Sequence, residues 1–471
     1  MKVLLIAGMS LILLLPALSA ELPAIVHYDL QVRFDLKERR MTVSASLTIK
    51  NISAKPQSEI PFILYRLLTV DQVTDTGGHA LSFSQKVVQL QDEPSLQANQ
   101  ISVRLSSSLL PNDSLKVTLR YSGFMFGYPE VMAYVRDRID EEYSLLRPDA
   151  FAFPVLAGSS FASTLAANDT KFTYQVSTTV SRGYLVACGG ELLDSASRGD
   201  SSIFTYRSKL PTWRIDLAVA QFNVLRSAAD NITVFYLPAD SAGASNVLNA
   251  SHDAVTFYTG AFGTPPTYNG YTVIEIPDGW GSQASDYYFL QTAAAFKDTS
   301  KVSEVYHEIG HTWNSTASGE IQRCRYFDEA FASYFEALTI RAIRGDSAFY
   351  EDMEKGRNSF VRWAQYDRHV FDTPIAGYGA KELGRHSYTK GAWSLYVLNR
   401  IVGDSAFVRI IRTLLAEFRK TPIDFAAFEA LCERVSNRDL RKFFQEWIYG
   451  TQSSQVLVDN LPIGEIVKRY R

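Results

Sequence analysis

The chain has 471 residues, 46% hydrophobic and 21% charged, which is ordinary for a soluble globular protein and long enough for two or three domains that each bury a core. A formal net charge of −3 removes the electrostatic case for nucleic acid or an anionic membrane surface as a partner. The widely spaced Cys188, Cys324 and Cys432 include no Cys-x-x-Cys pair, which argues against a disulfide framework, a Cys-ligated zinc or a redox centre.

The N-terminus reads as a signal peptide over residues 1–20. Lys2 precedes the apolar run VLLIAGMSLILLLPAL, and Ser19 and Ala20 form a small-residue exit, although Leu18 makes the cleavage site imperfect. The run is short for a membrane span, so an uncleaved anchor is the weaker alternative. The mature chain is expected outside the cytoplasm, secreted or periplasmic, with no membrane span after signal removal. Asn-x-Ser/Thr sequons occur at Asn51, Asn112, Asn168, Asn231, Asn249 and Asn314.

From about residue 25 to 225 the texture is β. MTVSASLTIKN, ISVRLSSS, LKVTLRYSG and FTYQVSTTVSRGYLVACGG alternate apolar and polar residues, and turn-like clusters such as DTGGHA and LLPNDS separate them. With no useful helical period between them, residues 21–228 are predicted to form an N-terminal antiparallel β domain, a saddle or sandwich. Beyond it, ITVFYLP and YTVIEIP read as strands around the helical stretch NVLNASHDAVTFYTGAFG. After residue 300 helical periods dominate, with Gly345, Gly403 and Gly450 at expected C-terminal stops. The fold class expected is α+β multidomain, with an α+β catalytic domain with a helical tail over 229–455 and a C-terminal tail over 456–471.

His307-Glu308-Ile309-Gly310-His311 is an H-E-x-x-H pattern. Residues four apart share a helix face, so two imidazoles can converge on one metal, while Glu308 lies one step round and is placed to act as a base. A third ligand is expected from the next helix, where Glu329 opens DEAFASYFEAL. Glu336, seven residues on and on the same face, is placed to orient a ligand histidine from behind. A His/His/Glu set suits Zn2+, one per chain. A glycan on Asn314 would sit beside such a metal, so that sequon is expected to be unused.

HEIGH, YFDEAFASYFEAL and SYTKGAWSLY, in that order, resemble the gluzincin family of membrane-alanyl-aminopeptidase-like metallopeptidases. HYDLQVRFDL, LPTWRIDLAVAQFNVL and FFQEWIYG are similar to further family segments, so the resemblance covers nearly the whole mature chain. It implies a saddle-shaped β domain followed by a thermolysin-like catalytic domain. It also implies His307, His311 and Glu329 as zinc ligands, Glu308 as base, and Tyr388 of the Tyr-Thr-Lys-Gly-Ala block as the donor that stabilises the tetrahedral oxyanion. His386, two residues earlier, is read as a structural histidine.

Two features depart from the family pattern. Seventeen residues separate His311 from Glu329, one fewer than usual, and the intervening loop can absorb the deletion. More consequentially, the G-x-M-E-N block whose Glu grips a substrate's free α-amino group is replaced by DGWGSQASDYYFLQ. Gln283 or Ala284 falls where that Glu should be, which removes a charge-assisted contact to an ammonium. Asp286, Asp149 or Glu142 could supply a carboxylate from a shifted position, and Gly281 and Gln283 are the expected substrate-binding positions. The reading is an exported zinc metallopeptidase acting on peptides or proteins, aminopeptidase-like with an altered recognition loop. Its rivals are an endopeptidase or glycyl-aminopeptidase-type gluzincin and a catalytically inactive binding scaffold.

Overall fold

The computed structural model describes residues 22–317, 319–419 and 421–470, so the expected signal peptide lies outside the described residues. The chain divides into two compact units. The first takes in residues up to Asn223 together with Pro277–Gly281, and the second holds Val224–Ile276 and the chain from Ser282 onward.

Strand alternation builds the first unit. In Arg40–Lys50 every second residue, from Met41 to Ile49, is buried, because successive side chains of a strand point to opposite faces. That strand lies inside a seven-stranded sheet ordered Glu191–Arg198, Ser201–Arg207, Thr173–Ser181, Ala24–Asp35, Arg40–Lys50, Ser114–Phe124, Leu68–Thr74. Neighbours run antiparallel except Ala24–Asp35 and Thr173–Ser181, which are parallel with His27 opposite Thr173. A four-stranded and a three-stranded sheet complete the unit. One core joins inward residues of the larger sheets, including Leu30, Leu47, Leu119, Phe62 and Ile101. A short helix, α1 (Phe161–Ala167), interrupts the expected run of strands; the Ser160 and Ser163 side chains close a capping box at its start.

The second unit begins on a five-stranded sheet ordered Asn223–Ser227, Ile232–Tyr236, Tyr271–Ile276, Tyr288–Thr292, Gln283–Ser285. Its three central strands are parallel to one another, and the edge strand Gln283–Ser285 is antiparallel to its neighbour. Helix α2 (Ser241–Phe262) buries Val247, Ala250, Ala254, Tyr258 and Phe262, a 3–4 spacing that turns one stripe inward. Helices α3 (Ser303–Gly310), α4 (Phe331–Arg344), α5 (Asp346–Tyr366) and α6 (Lys390–Val402) follow. Helix α3 packs between α2 and α4.

Gly345 and Gly403 cap α4 and α6 with φ of 85° and 88°, a conformation that favours glycine. Gly450 instead ends its turn in extended backbone. The residues beyond 450 form two short helices, Gln452–Val458 and Ile463–Lys468. The three cysteines are buried free thiols. Among the described residues no helix is long and apolar enough to cross a membrane.

Candidate active site

Helix α3 carries the H-E-x-x-H pattern to its C-terminal end. His307 and Glu308 lie within it, and His311 opens a single 3-10 turn, His311–Trp313. The two imidazole centroids stand 4.9 Å apart with their planes nearly perpendicular. Glu329 enters from the segment ahead of α4, with its side chain only 4% exposed. Its Oε2 stands 3.1 Å from His307 Nε2 and 3.5 Å from His311 Nε2.

Glu329 reaches that place through a wide turn. Tyr326–Ala330 is a π-helical turn, closed by the Ala330 N–H donating to the Arg325 carbonyl five residues back. Asp328 and Glu329, adjacent in sequence, thereby both approach histidines: Asp328 Oδ1 is 2.8 Å from His311 Nδ1. Glu336, on α4, lies 3.6 Å from His307 Nδ1 through Oε2. Each imidazole thus has a carboxylate behind Nδ1, the arrangement that directs the other nitrogen toward a metal.

His307, His311 and Glu329 each offer one donor atom, and the three atoms lie within 4.8 Å of one another. Donors about 2.0–2.1 Å from one tetrahedral ion stand roughly 3.3 Å apart. The 3.1 and 3.5 Å separations therefore fit Zn2+, as does the nitrogen and oxygen donor set. Metal and proton compete for the same nitrogens. Burial disfavours the charged form of His307, but the hydrogen-bonding carboxylates of Glu329 and Glu336 outweigh it and hold its pKa well above the ordinary value. His311 is raised in the same way, chiefly by Asp328 against burial.

Glu308 is buried on the same helix. Burial pushes its carboxyl up to about 7, against the opposing pull of His307 and His311. Tyr388 ends a 3-10 turn, Gly384–Tyr388, before α6, and its ring stacks on His307. Gly391 lets α6 come this close: a Cβ there would lie 2.6 Å from Ala330 Cβ, so only glycine fits against the segment carrying Glu329. Desolvation and the neighbouring Glu329 raise the Tyr388 phenol above its ordinary value, so it remains a donor at neutral pH.

The two substrate-binding positions fall in different units. Gly281 packs with the first, where its φ of 71° and the Tyr134 side chain 3.1 Å from a would-be Cβ both favour glycine. Gln283 opens the edge strand of the second, opposite Leu290, and that strand packs near α3. His386 is buried against Trp363 and Tyr378, with its pKa pushed down to about 4 by burial and Arg385.

No motif marks Asp328 or Arg325, and Asn314 stands out in the sequence only as a sequon beside the metal ligands. Asn314 Nδ2 donates to the Asp328 carbonyl at 2.9 Å and lies 2.9 Å from His311 Nδ1, so this sequon nitrogen is engaged at the site. Aspartate directly before a ligand glutamate was the available signal for Asp328.

Residues 283–447 match the Peptidase family M1 domain, a span that includes all of the residues gathered at this site. No curated protein matches the chain in sequence. The fold is similar to that of the M1 zinc metallopeptidase from Deinococcus radiodurans, with a TM-score of 0.62 and 17% identity over 93% of this chain and 95% of that one. A mutant of that enzyme bound to a Tyr-Ser-Ala substrate gives a TM-score of 0.61 at 17% identity, over 93% of this chain and 95% of that one. A two-domain M1 zinc metallopeptidase mutant bound to L-tryptophan gives 0.61 at 19% identity, with the same 93% and 95% coverage. With a Peptidase family M1 domain over residues 283–447 and a His/His/Glu group that could hold the metal, the chain is a zinc-dependent peptidase, and its two-domain fold is similar to that of M1 zinc metallopeptidases.

Proposed function

We propose that the chain is an exported peptidase with His307, His311 and Glu329 as its zinc ligands, Glu308 as its base and Tyr388 as its oxyanion donor. The observation that carries this reading is the convergence of His307 Nε2, His311 Nε2 and Glu329 Oε2, with Glu308 buried one helix step away. Zinc, when held there, supplies Lewis acidity toward water and the scissile carbonyl. Glu308, buried one helix step from the ligands, takes a proton from the attacking water and returns it to the departing amine. Tyr388 donates one directional hydrogen bond to the oxygen on which negative charge develops.

Specificity is aminopeptidase-like with an altered recognition loop. The edge strand Gln283–Ser285 suits main-chain pairing with an extended peptide, but it carries Gln283 and Ala284 where an ammonium-binding carboxylate would be needed. That same lack favours endopeptidase work as the second reading. The neighbour bound to Tyr-Ser-Ala makes short peptides the substrates to try first.

The test uses the full chain, added zinc and paired peptide libraries with free or acetylated N-termini, read by mass spectrometry. Stepwise trimming of free termini alone supports the aminopeptidase reading; internal cleavage of acetylated peptides at comparable rates replaces it with the endopeptidase reading. Export is tested by expressing the chain with its first twenty residues and sequencing the recovered protein. A start near Glu21 outside the cytoplasm is expected, and an intact Met1 inside it would contradict export.

A further inference from the structure

Arg325 precedes the π-turn in a left-handed backbone conformation, φ 55° and ψ 24°, which a non-glycine residue adopts only when its surroundings hold it there. Its guanidinium reaches two carboxylates at once. Nε donates to Asp328 Oδ2 at 2.8 Å, and Nη2 donates to Glu329 Oε1. The remaining oxygen of each carboxylate faces a histidine: Asp328 Oδ1 lies 2.8 Å from His311 Nδ1, and Glu329 Oε2 faces both Nε2 atoms. One cation therefore takes the outer oxygen of both acids and leaves the inner oxygens to the imidazoles.

We propose that Arg325 is a positioning residue of the metal centre, holding Glu329 so that one oxygen alone faces the metal and holding Asp328 so that His311 presents Nε2. The proposal rests on the ligand assignment above. A glutamate free to turn about its last bond can offer both oxygens to an ion and close the position that water needs. A guanidinium fork, with donors fixed in one plane, removes that freedom in a way a point charge cannot. Charge balance points the same way. Glu308, Asp328, Glu329 and Glu336 bring four carboxylates to the two histidines, and Arg325 is the cation paired with two of them.

The guanidinium is also 44% exposed, so the test must separate positioning from substrate contact. Zinc affinity of the full chain is measured by competition with a chromogenic chelator, alongside kcat and KM at saturating zinc, for wild type, Arg325→Lys and Arg325→Gln. Zinc affinity is expected to fall about 10–100-fold in Arg325→Gln, with Arg325→Lys between the two and KM within about twofold of wild type. Asp328→Asn added to Arg325→Gln should cost less than the sum of the two changes, because both act through one clamp. Unchanged zinc affinity with a raised KM would make Arg325 a substrate contact and overturn the proposal. No change in either quantity would make it a surface ion pair and overturn it equally. If Arg325→Gln does not fold, Arg325→Lys carries the comparison alone, and wild-type affinity there overturns the fork argument. A wild-type chain whose zinc affinity is indifferent to His307→Ala would instead sink the ligand assignment itself.

Discussion

The rings of His307 and Tyr388 lie face to face, with centroids 5.5 Å apart and planes 9° from parallel. This stack fixes the tyrosine ring through contacts that do not involve its hydroxyl. Tyr388→Phe therefore deletes one donor and leaves the packing in place. The expected result is an unchanged zinc affinity and KM with kcat lower by about two orders of magnitude or more. Steady-state kinetics at saturating zinc check it, and an unchanged kcat would remove Tyr388 from the reaction.

The carboxylates behind the imidazoles act on the metal rather than on substrate. Glu336 faces His307 Nδ1 and Asp328 faces His311 Nδ1. Glu336→Gln and Asp328→Asn should each weaken zinc binding about 10–100-fold while preserving the unfolding midpoint in excess chelator. Chelator competition at fixed pH measures the first quantity and thermal unfolding the second. Wild-type zinc affinity in both variants would contradict the arrangement.

Gly391 and Ala330 form a steric pair. Gly391→Ala places a methyl carbon 2.6 Å from Ala330 Cβ and 3.3 Å from Ser387 Cβ, so α6 or the Glu329 segment must move. Overpacking of this kind costs about 1–3 kcal/mol. Both stability and turnover should fall, and Ala330→Gly in the same chain should recover part of each. Denaturant unfolding of the two single variants and the double variant tests this; additive losses would refute the contact.

Lys390 is buried in α6, where Nζ donates to Ser454 Oγ at 2.9 Å and to the Thr373 carbonyl at 3.3 Å. Burial pushes its pKa down to about 7 from 10.5. The unfolded chain therefore holds more protons here between those values, and this lysine's cost to stability is full below pH 7 and relieved as pH rises toward 10.5. Relative to wild type, Lys390→Met should be most stable near pH 6 and lose that advantage by pH 9 to 10. The difference in unfolding midpoint between the two proteins across pH measures it, and a flat difference would mean that the lysine stays charged in the fold.

What was legible in the sequence follows from local periods. Four-residue and seven-residue spacings on one helix face pointed to His307 with His311 and to Glu329 with Glu336, and strand alternation marked Arg40–Lys50. Arg325 was not legible, and Asp328 was marked only by its place directly before the ligand glutamate, because their roles depend on a left-handed residue and a π-turn that no repeat announces. The parallel pairing of Ala24–Asp35 with Thr173–Ser181 was hidden for a different reason. Alternation fixes which face is buried, not the direction or identity of a partner more than a hundred residues away. Pro277–Gly281 packs with the first unit although the strand leading into it belongs to the second, an exchange that composition cannot signal.

Metal-dependent hydrolysis with Glu308 as base is tested by measuring zinc content and peptide turnover together in wild type and Glu308→Gln. Expected are one zinc per chain in both proteins, cleavage by wild type that a strong chelator abolishes and zinc restores, and loss of turnover in Glu308→Gln. Cleavage by Glu308→Gln at the wild-type rate, or wild-type cleavage that persists after the metal is stripped, would contradict it.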